Sequence, residues 1–545
     1  MKRRSLQFLA LCLVLLLLPL YGCSRHQEST GAGYLFTAVL PGDPACLDPQ
    51  YTDNRNAQAV LANTMEGLVR AGEGGSILPA GAEEWTVSED GRSYLFTLRD
   101  CKWYGIGIKA ETAPPVTAQD YVYAFRRLLK PETRAPHAQD FLSIKNAAGV
   151  LAGVKKPEEL GVSAPDDHTV LFELESPDAQ FLTLLTQSCA VPCSERFFLS
   201  TKGRYGLDPE NTLSNGPFYP AQWNYDDYGS GNFISLKRNA AYYDPDSIYP
   251  SSLLLYIAHS AAEANQSFAE GEADVLLTQT APDAFIRSGD AAIEGRAAST
   301  LGLIFNPDNE LLQNVHLRQA LISGIDRSAL APLLSDDLTV AYGIIPPAVT
   351  LLGRSYRELY ADEPLSPYDP IGASRSFDAA ASQVQLGSMN TVQILVSTDI
   401  TDTDALLEIC QNWQNLFGYY IGIETVTPAD FDRRIAAGEY SIALYTLSSQ
   451  EGTCTSFFRA AADEAALWGM DPAALETNVT ALTQADALAD TVELCGSTEE
   501  TVLHTGCFVP LFYKNSYLLY TGNNRDIGFD PFSGAVFFRD AKHFE

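Results

Sequence analysis

The stretch EEWTVSEDGRSYLFTLR, residues 83–99, has the pattern of a β-hairpin. Apolar and polar residues alternate on both sides of a Glu-Asp-Gly-Arg turn at 89–92, and a period of two is typical of strands with one buried face. The apolar positions predicted to face inward are Trp85, Val87, Phe96 and Leu98. The pattern therefore predicts an antiparallel pair that packs on one side.

A second stretch, GVSAPDDHTVLFELESP at 161–177, repeats this pattern. Pro165, Asp166 and Asp167 are turn residues, and three alternate apolar residues follow them. The residues predicted to point inward are Val170, Phe172 and Leu174. We therefore expect two hairpins of one small antiparallel unit.

Between the hairpins, VTAQDYVYAFRRLLKPE at 116–132 predicts an amphipathic helix. Thr117 is a suitable N-cap, Asp120 stands at the capping-box position, and Pro131 ends the periodic region. The apolar stripe consists of Tyr121, Val122, Phe125, Leu128 and Leu129.

The later sequence has a different pattern. Residues 313–334, QNVHLRQALISGIDRSALAPLL, predict one amphipathic helix with Asn314 as its cap. From VQILVS at 392–397 to YSIALYTL at 440–447, predicted strands alternate with predicted helices. Such alternation indicates a parallel sheet, so an α/β region from about 300 to 500 follows a mixed antiparallel first part.

The N-terminus carries the features of an export signal. Three cations precede an apolar run, Leu6 to Leu20, that is shorter than the roughly 20 residues of a membrane-spanning helix. The run ends in Leu-Tyr-Gly-Cys, which resembles the lipobox of bacterial lipoproteins, and the resemblance implies that Cys23 is lipidated. A plain signal peptide with Cys23 as an ordinary thiol is the alternative. Residues 1–22 would then be the signal peptide and 23–33 a polar tether.

Charge and composition exclude several classes of function. Residues 1–22 hold three Lys or Arg and no acid, so their removal leaves 33 Lys and Arg against 68 Asp and Glu, a net charge of −35. Nucleic-acid binding needs cationic neutralisation of phosphates, and anionic lipid surfaces attract basic segments. We therefore expect no nucleic-acid partner, and contact with a membrane only through a lipid anchor.

Motifs of catalysis or metal binding do not occur in the sequence. HExxH, GxSxG and P-loop patterns are missing, and the seven histidines form no i,i+4 pair. We therefore predict no enzyme, no catalytic residue, no cofactor and no metal site. Eight cysteines beyond Cys23 permit disulfides, but their spacing does not fix a pairing.

The pieces together resemble the family 5 solute-binding proteins of ABC importers, the oligopeptide and dipeptide binders. The resemblance extends in collinear order over nearly the whole mature chain. Besides the hairpins and the two helices, the matching segments are CLDPQ (46–50), NTMEGLVR (63–70), SNGPFY (214–219), LKRNAAYYDP (236–245), FAEGEADV (268–275), IFNPDNELLQ (304–313) and VPLFY (509–513).

This resemblance implies an α/β, two-lobed fold like that of periplasmic binding proteins, with an extra subdomain on the first lobe. Lobe 1 would comprise 34–300 and 507–545, with 62–188 as the extra subdomain, and lobe 2 would comprise 301–506. Two crossings between the lobes, near STLGLIFN at 299–306 and GCFVPLFY at 506–513, would form the hinge.

The resemblance also implies a function. The chain would be a lipid-anchored receptor on the extracytoplasmic face of the cell membrane. It would capture a peptide or peptide-like solute between its lobes and deliver it to an ABC permease and its ATPase. A non-peptide solute, such as a nickel chelate or an oligosaccharide, is the alternative within the family. A surface-anchored enzyme or adhesin is the alternative from another class.

Ligand residues are expected at strand ends and at the crossings, because clefts between domains commonly hold ligands. In the peptide binders the stretch that corresponds to 440–458 contains an aromatic residue and an Asp after its strand, and the Asp pairs with the ammonium of the peptide. Here Leu447 stands at the aromatic position, and Gln450 or Glu451 at the Asp position. Glu451 could hold an ammonium, or it is a solvated loop carboxylate. The other expected ligand residues are Asp43, Pro44, Asn215, Phe305, Asn306, Phe512 and Lys514.

Overall fold

The computed structural model describes residues 33–544 apart from 73–75, 285, 287–290, 352, 361–366, 401–402, 483–484 and 486. The predicted signal peptide and Cys23 lie outside the described residues, as does all of the tether except Gly33. Within the described part, no helix combines the length and the apolar character needed to cross a membrane.

The strands, in chain order, are of very different lengths. They are β1 (Leu35–Leu40), β2 (Val69–Ala71), β3 (Ile77–Pro79), β4 (Ala82–Val87), β5 (Ser93–Leu98), β6 (Val162–Asp166), β7 (Thr169–Glu173), β8 (Phe218–Asn224), β9 (Phe233–Arg238), β10 (Ser252–Ile257), β11 (Val275–Thr278), β12 (Ala291–Phe305), β13 (Leu338–Val340), β14 (Thr350–Leu351), β15 (Arg354–Ser355), β16 (Gln393–Ser397), β17 (Gly422–Val426), β18 (Ile442–Ser448), β19 (Phe508–Thr521), β20 (Asn524–Arg525), β21 (Gly528–Phe529), β22 (Val536–Phe537) and β23 (Lys542–His543).

The described α-helices are α1 (Arg55–Thr64), α2 (Ala118–Leu128), α3 (Ala147–Leu151), α4 (Phe181–Leu184), α5 (Glu195–Ser200), α6 (Ala261–Ala269), α7 (Val315–Ser323), α8 (Arg327–Leu330), α9 (Tyr356–Leu359), α10 (Pro370–Ala381), α11 (Asp404–Phe417), α12 (Pro428–Ala436), α13 (Cys454–Asp463), α14 (Pro472–Leu482) and α15 (Leu488–Thr505).

One large sheet runs through the molecule in the order β17-β16-β18-β12-β19-β11-β1-β10-β9-β8, and β13 joins β19. β16 pairs in parallel with β17 and β18, as the alternation of strands and helices predicts. β12 and β19 pair antiparallel from Ala291–Thr521 to Ile304–Phe508. The two predicted crossings, 299–306 and 506–513, therefore lie side by side in the middle of the sheet.

The core is divided on the two sides of this central strand pair. One apolar cluster includes Phe36, Phe125 and Leu253 of the first part of the chain. Two others line opposite faces of β12 and include Leu303 and Ile304, respectively. The fold is thus α/β and two-lobed, as the resemblance implies. The exact lobe boundaries stay a prediction.

The two hairpins form a separate four-stranded sheet in the order β4-β5-β7-β6. Phe96, Leu98, Val170, Phe172 and Leu174 are buried, as predicted. Two details of the prediction are wrong. The side chain of Val87 is 45% exposed, because β4 is the edge strand. The second turn is formed by residues 167–168, since Asp166 still pairs with Thr169.

Helix α2 confirms the predicted cap and apolar stripe, and its Arg127 joins two of the sequence motifs. Asp120 accepts a hydrogen bond from the Thr117 backbone N–H (2.9 Å). Arg127 Nη1 donates to Asp48 Oδ1 (2.8 Å) and to Gln50 Oε1 (2.9 Å). The CLDPQ motif is therefore structural, since its polar side chains anchor α2.

The helix predicted over 313–334 is interrupted. The side chain of Asn314 caps α7, as predicted, by accepting from the Leu317 N–H (3.0 Å). The helix ends at Ser323 with Gly324 as its C-cap, and Asp326 caps the short α8. A glycine at this position lowers the helix propensity, and an aspartate two residues later favours a new start.

Candidate functional site

The loop between β18 and α13 lies where the two lobes meet. Thr453 caps α13 by accepting a hydrogen bond from the Ser456 N–H (3.1 Å). Ser456 Oγ in turn donates to Glu451 Oε2 (2.6 Å). This local network fixes the Glu451 carboxylate, whose side chain is only 9% exposed. Glu451 is therefore not a solvated loop carboxylate.

Glu451 faces a short turn of the first part of the chain. Its Oε1 lies 3.1 Å from His137 Nδ1. The same ring nitrogen lies 3.4 Å from Asp140 Oδ2. Arg459 of α13 forms a salt bridge to Asp140 Oδ1. We call His137, Asp140, Glu451 and Arg459 the interlobe cluster, because it joins the predicted subdomain to predicted lobe 2.

Other contacts close the same interface. Gln180 Nε2 donates to Thr455 Oγ1 (3.0 Å), and the Ala179 N–H donates to the Ala485 carbonyl (3.4 Å). The cavity between Gln180 and Thr491 measures about 10 Å³, which is room for roughly one water molecule. The described conformation is therefore closed at this place.

A third segment touches the loop from the C-terminal part of the chain. The ring of Phe532 packs edge-on against Phe457 of α13, with a centroid distance of 5.9 Å. A Cβ added at Gly452 would lie 2.7 Å from the Phe532 ring, so this contact requires the glycine. Two separate segments of predicted lobe 1 thus enclose the loop that contains Glu451.

Burial changes the acid–base properties of groups around the cluster. It lowers the pKa of the Arg459 guanidinium, and Asp463 partly opposes this effect. It raises the pKa of the Cys189 thiol well above its usual value, and the nearby charge of Glu451 raises it further. These groups therefore sit in a site from which much of the water is excluded. All eight cysteines that the structure describes carry free thiols.

The expected ligand residues of predicted lobe 1 lie in two different settings. Asp43 is partly exposed, and its Oδ1 accepts from Trp223 Nε1 (3.0 Å); the neighbouring Pro44 is buried. Asn215 is almost fully buried and bonds both the N–H (2.9 Å) and the carbonyl (2.8 Å) of Glu66. Asp43 is accessible to a ligand, whereas Asn215 has a structural role in this conformation, because its side chain bonds the backbone of Glu66.

Four expected residues of the crossings and of β18 are packed into cores. Phe305 and Phe512 belong to the apolar cluster that includes Leu303, and Leu447 belongs to the cluster that includes Ile304. Asn306 Nδ2 donates to the carbonyls of Gly438 (2.9 Å) and Tyr440 (2.7 Å). These side chains offer little surface to a ligand in the described conformation, so their ligand roles stay predictions that the packing does not favour.

Lys514 and the end of β18 lie on one face of the sheet. Ser299 of β12 pairs with Ser448 on one side and with Lys514 on the other. Directly paired residues point to the same face, and neighbouring strands are about 4.8 Å apart. The backbones at Lys514 and Ser448 are therefore about 10 Å apart. Gln450 is exposed, and Lys514 is half-buried.

Comparison with known proteins identifies the family. The sequence profile described as "Bacterial extracellular solute-binding proteins, family 5 Middle" matches residues 76–465. The chain belongs to this family. The resemblance found in the sequence is confirmed.

Similar proteins agree with this assignment. This family 5 protein is 26% identical to the dipeptide-binding protein DppE of Bacillus subtilis over 63% of each chain. It is 28% identical to the probable deoxycholate-binding periplasmic protein YgiS of Escherichia coli over 56% of each chain. The chain thus spans less than two thirds of the length of these curated relatives. The relatives are named as binding proteins rather than enzymes.

A solved structure shows the same fold over almost the full length. The Haemophilus influenzae OppA complex with RPPGFSPFR superposes with a TM-score of 0.71 at 20% identity. The match covers 95% of this family 5 protein and 100% of that chain. At this identity the likeness establishes the two-lobed architecture.

The sequence interpretation missed most of the residues that meet at the interface. His137, Asp140, Arg459 and Phe532 were not among the expected site residues. The only local signal for them is the spacing of His137 and Asp140, three residues apart. The Glu451 loop was found because the resemblance pointed to it.

Proposed function

We propose that this family 5 protein is a lipid-anchored extracytoplasmic receptor that captures a peptide or peptide-like solute between its lobes. It delivers the solute to an ABC permease and its ATPase. The observation that carries the proposal is the contrast between the continuous β12–β19 pair and the contacts of the Glu451 loop. Two long paired strands, β12 and β19, contain the two predicted crossings between the lobes, whereas the contacts at the Glu451 loop are mainly side-chain contacts that can separate.

The peptide assignment is supported by relatives and by a pair of opposite charges, Glu451 and Lys514. DppE is named as a dipeptide binder, and the H. influenzae OppA structure holds RPPGFSPFR. Glu451 and Lys514 offer opposite charges, and Lys514 is about 10 Å from the strand end that precedes Glu451. Such a pair suits a zwitterion held by its ammonium and its carboxylate.

A non-peptide solute is the second candidate. It is favoured by the contacts that Glu451 already makes within the protein. The carboxylate already accepts a hydrogen bond from Ser456 and lies beside His137, so part of its capacity to bind a ligand ammonium is occupied. The relative YgiS is named as a probable deoxycholate binder. A ligand of that kind would rely on apolar contacts rather than on an ammonium.

The test is native mass spectrometry of the purified protein, followed by calorimetric titration of the co-purified solute. We expect a peptide mass and a smaller radius of gyration in solution scattering when the ligand is bound. A bound non-peptide mass, with no heat from a mixed peptide library, would overturn the peptide assignment. An unchanged radius of gyration at a saturating solute concentration would overturn the closure of the lobes on the ligand.

The anchor is tested separately through Cys23. A Cys23→Ala protein should be released from the membrane fraction, whereas substitution of Cys46 should leave the protein anchored. Membrane retention of an unprocessed Cys23→Ala chain would contradict the lipobox interpretation.

A further inference from the structure

Three potential metal-ligand atoms converge in the interlobe cluster. His137 Nδ1 and one carboxylate oxygen each of Asp140 and Glu451 all lie within 4.8 Å of one another. The side chains are 15%, 8% and 9% exposed, respectively. One imidazole nitrogen with two carboxylate oxygens is a donor set that suits Zn²⁺ and similar divalent cations.

The Glu451 oxygen that faces His137 is not satisfied by a hydrogen bond from the described residues. Glu451 Oε1 is buried and receives no hydrogen bond from any described residue, although His137 Nδ1 is only 3.1 Å away. In a tetrahedral zinc site with bonds of about 2.0–2.1 Å, adjacent ligand atoms lie about 3.3–3.4 Å apart. The distances from His137 Nδ1, 3.1 Å and 3.4 Å, are close to that value.

In each carboxylate, the oxygen that does not face His137 is bound by a neighbouring side chain. Glu451 uses Oε2 to accept from Ser456 (2.6 Å), and Asp140 uses Oδ1 to bind Arg459. The other oxygen of each carboxylate faces His137 Nδ1. Outer hydrogen bonds of this kind orient the carboxylate ligands of metal sites.

The charge of the cluster also favours a cation. Within the described part of the chain, the two buried carboxylates share one guanidinium, that of Arg459, which contacts the far oxygen of Asp140. A buried carboxylate without full compensation is costly. A divalent cation at the convergence point would supply the missing positive charge.

We propose that His137, Asp140 and Glu451 bind one divalent cation of the Zn²⁺ type. The cation would take two ligands from predicted lobe 1 and one from predicted lobe 2. It would therefore stabilise the closed arrangement. This second statement rests on the proposed two-lobe function, whereas the binding site itself does not.

The binding site is tested without any peptide. The purified chain is stripped with EDTA, dialysed, and titrated with ZnCl₂ in a calorimeter. We expect one Zn²⁺ per chain, at least a 100-fold loss of affinity in His137→Gln and Glu451→Gln, and a 10- to 100-fold loss in Ser456→Ala. His168→Gln is the matched control, because His168 lies 4.0 Å from Asp100 but is 60% exposed. Circular dichroism checks that each variant folds.

Two results would overturn the site. One is the absence of saturable binding by the folded wild-type chain. The other is an equal affinity in the wild type, His137→Gln and Glu451→Gln. Closure that persists in EDTA and depends on His137 would overturn the metal bridge and assign the contact to a direct interaction of the imidazole with the two carboxylates.

The bridging role has its own measurement. Zn²⁺ alone should reduce the radius of gyration of the wild type and leave that of His137→Gln unchanged. Stoichiometric binding without compaction would overturn the bridging role. Peptide binding without Zn²⁺ binding would overturn this inference and leave the proposed function intact, whereas Zn²⁺ binding without peptide binding would do the reverse.

Discussion

Glu451 and Glu499 are two buried glutamates in predicted lobe 2 with opposite surroundings. Glu499, on α15, is fully buried, and both of its oxygens are saturated by donors from the same lobe. Those donors are the N–H groups of Ile344 (2.6 Å) and Ile345 (3.0 Å), the Tyr356 hydroxyl (3.3 Å) and both Nη atoms of Arg357. Among the described residues, Glu451 has one such donor, Ser456, and its other oxygen points across the interface.

The difference distinguishes a carboxylate that holds the fold from one that is available for recognition. Buried polar groups are almost always hydrogen-bonded, so a buried oxygen left without a donor needs a separate explanation. Glu499 needs no partner from outside its lobe. Glu451 must take a partner from the other lobe, from a solute or from a cation.

The largest effect is expected for Glu499→Gln. The change removes the charge that neutralises buried Arg357, and breaking a buried pair from one side costs about 3–5 kcal/mol. Urea denaturation should show this loss in the free energy of unfolding. Glu493→Gln, at an exposed position of the same helix, is the control and should change stability by less than about 0.5 kcal/mol. A loss below about 1 kcal/mol for Glu499→Gln would contradict the structural role.

Glu451→Gln should instead lower the affinity for the solute. If Glu451 pairs with the ammonium of a peptide, its removal costs about 2–5 kcal/mol of binding free energy. That corresponds to a loss of affinity of roughly thirty-fold or more. The titration uses the co-purified solute in EDTA, so that metal binding does not contribute. Exposed Glu439→Gln is the control. A change in affinity below about threefold would contradict the model of a peptide held at both ends.

Much of the fold could be predicted because its signals are local. The alternation around Phe96 and Val170 specifies which faces are buried, and the capped stripe of α2 specifies a helix. Val87 was mispredicted because local alternation does not show that its strand lies at a sheet edge.

The site was largely unpredictable because it joins distant segments. Arg459 and Asp140 are 319 residues apart, and no periodicity connects them. Phe305 and Phe512 were expected to meet ligand because they lie at crossings. In the sheet, their side chains instead fill one apolar core together with Leu303.

A smaller effect is expected for Lys514→Ala. Lys514 is half-buried on the same face as Ser448, so water screens its attraction to a ligand carboxylate. We expect an affinity loss of about tenfold, near 1.4 kcal/mol, with the exposed Lys202→Ala as control. An unchanged affinity would place the carboxylate of the solute elsewhere, and would leave Glu451 as the only tested end of the ligand site.

The smallest effect is expected for the hydrogen bond between Gln180 and Thr455, which crosses the interface (3.0 Å). It joins neutral groups, and such bonds contribute about 0.5–1.5 kcal/mol. A double-mutant cycle with Gln180→Ala and Thr455→Val isolates the bond from other effects of each substitution. Because the bond exists only when the lobes are in contact, its loss should lower solute affinity about two- to threefold, near 0.5 kcal/mol. It should leave the free energy of unfolding of either lobe unchanged. A coupling that appears in stability but not in affinity would show that this contact persists in the open form, and the interface would then not separate at Thr455.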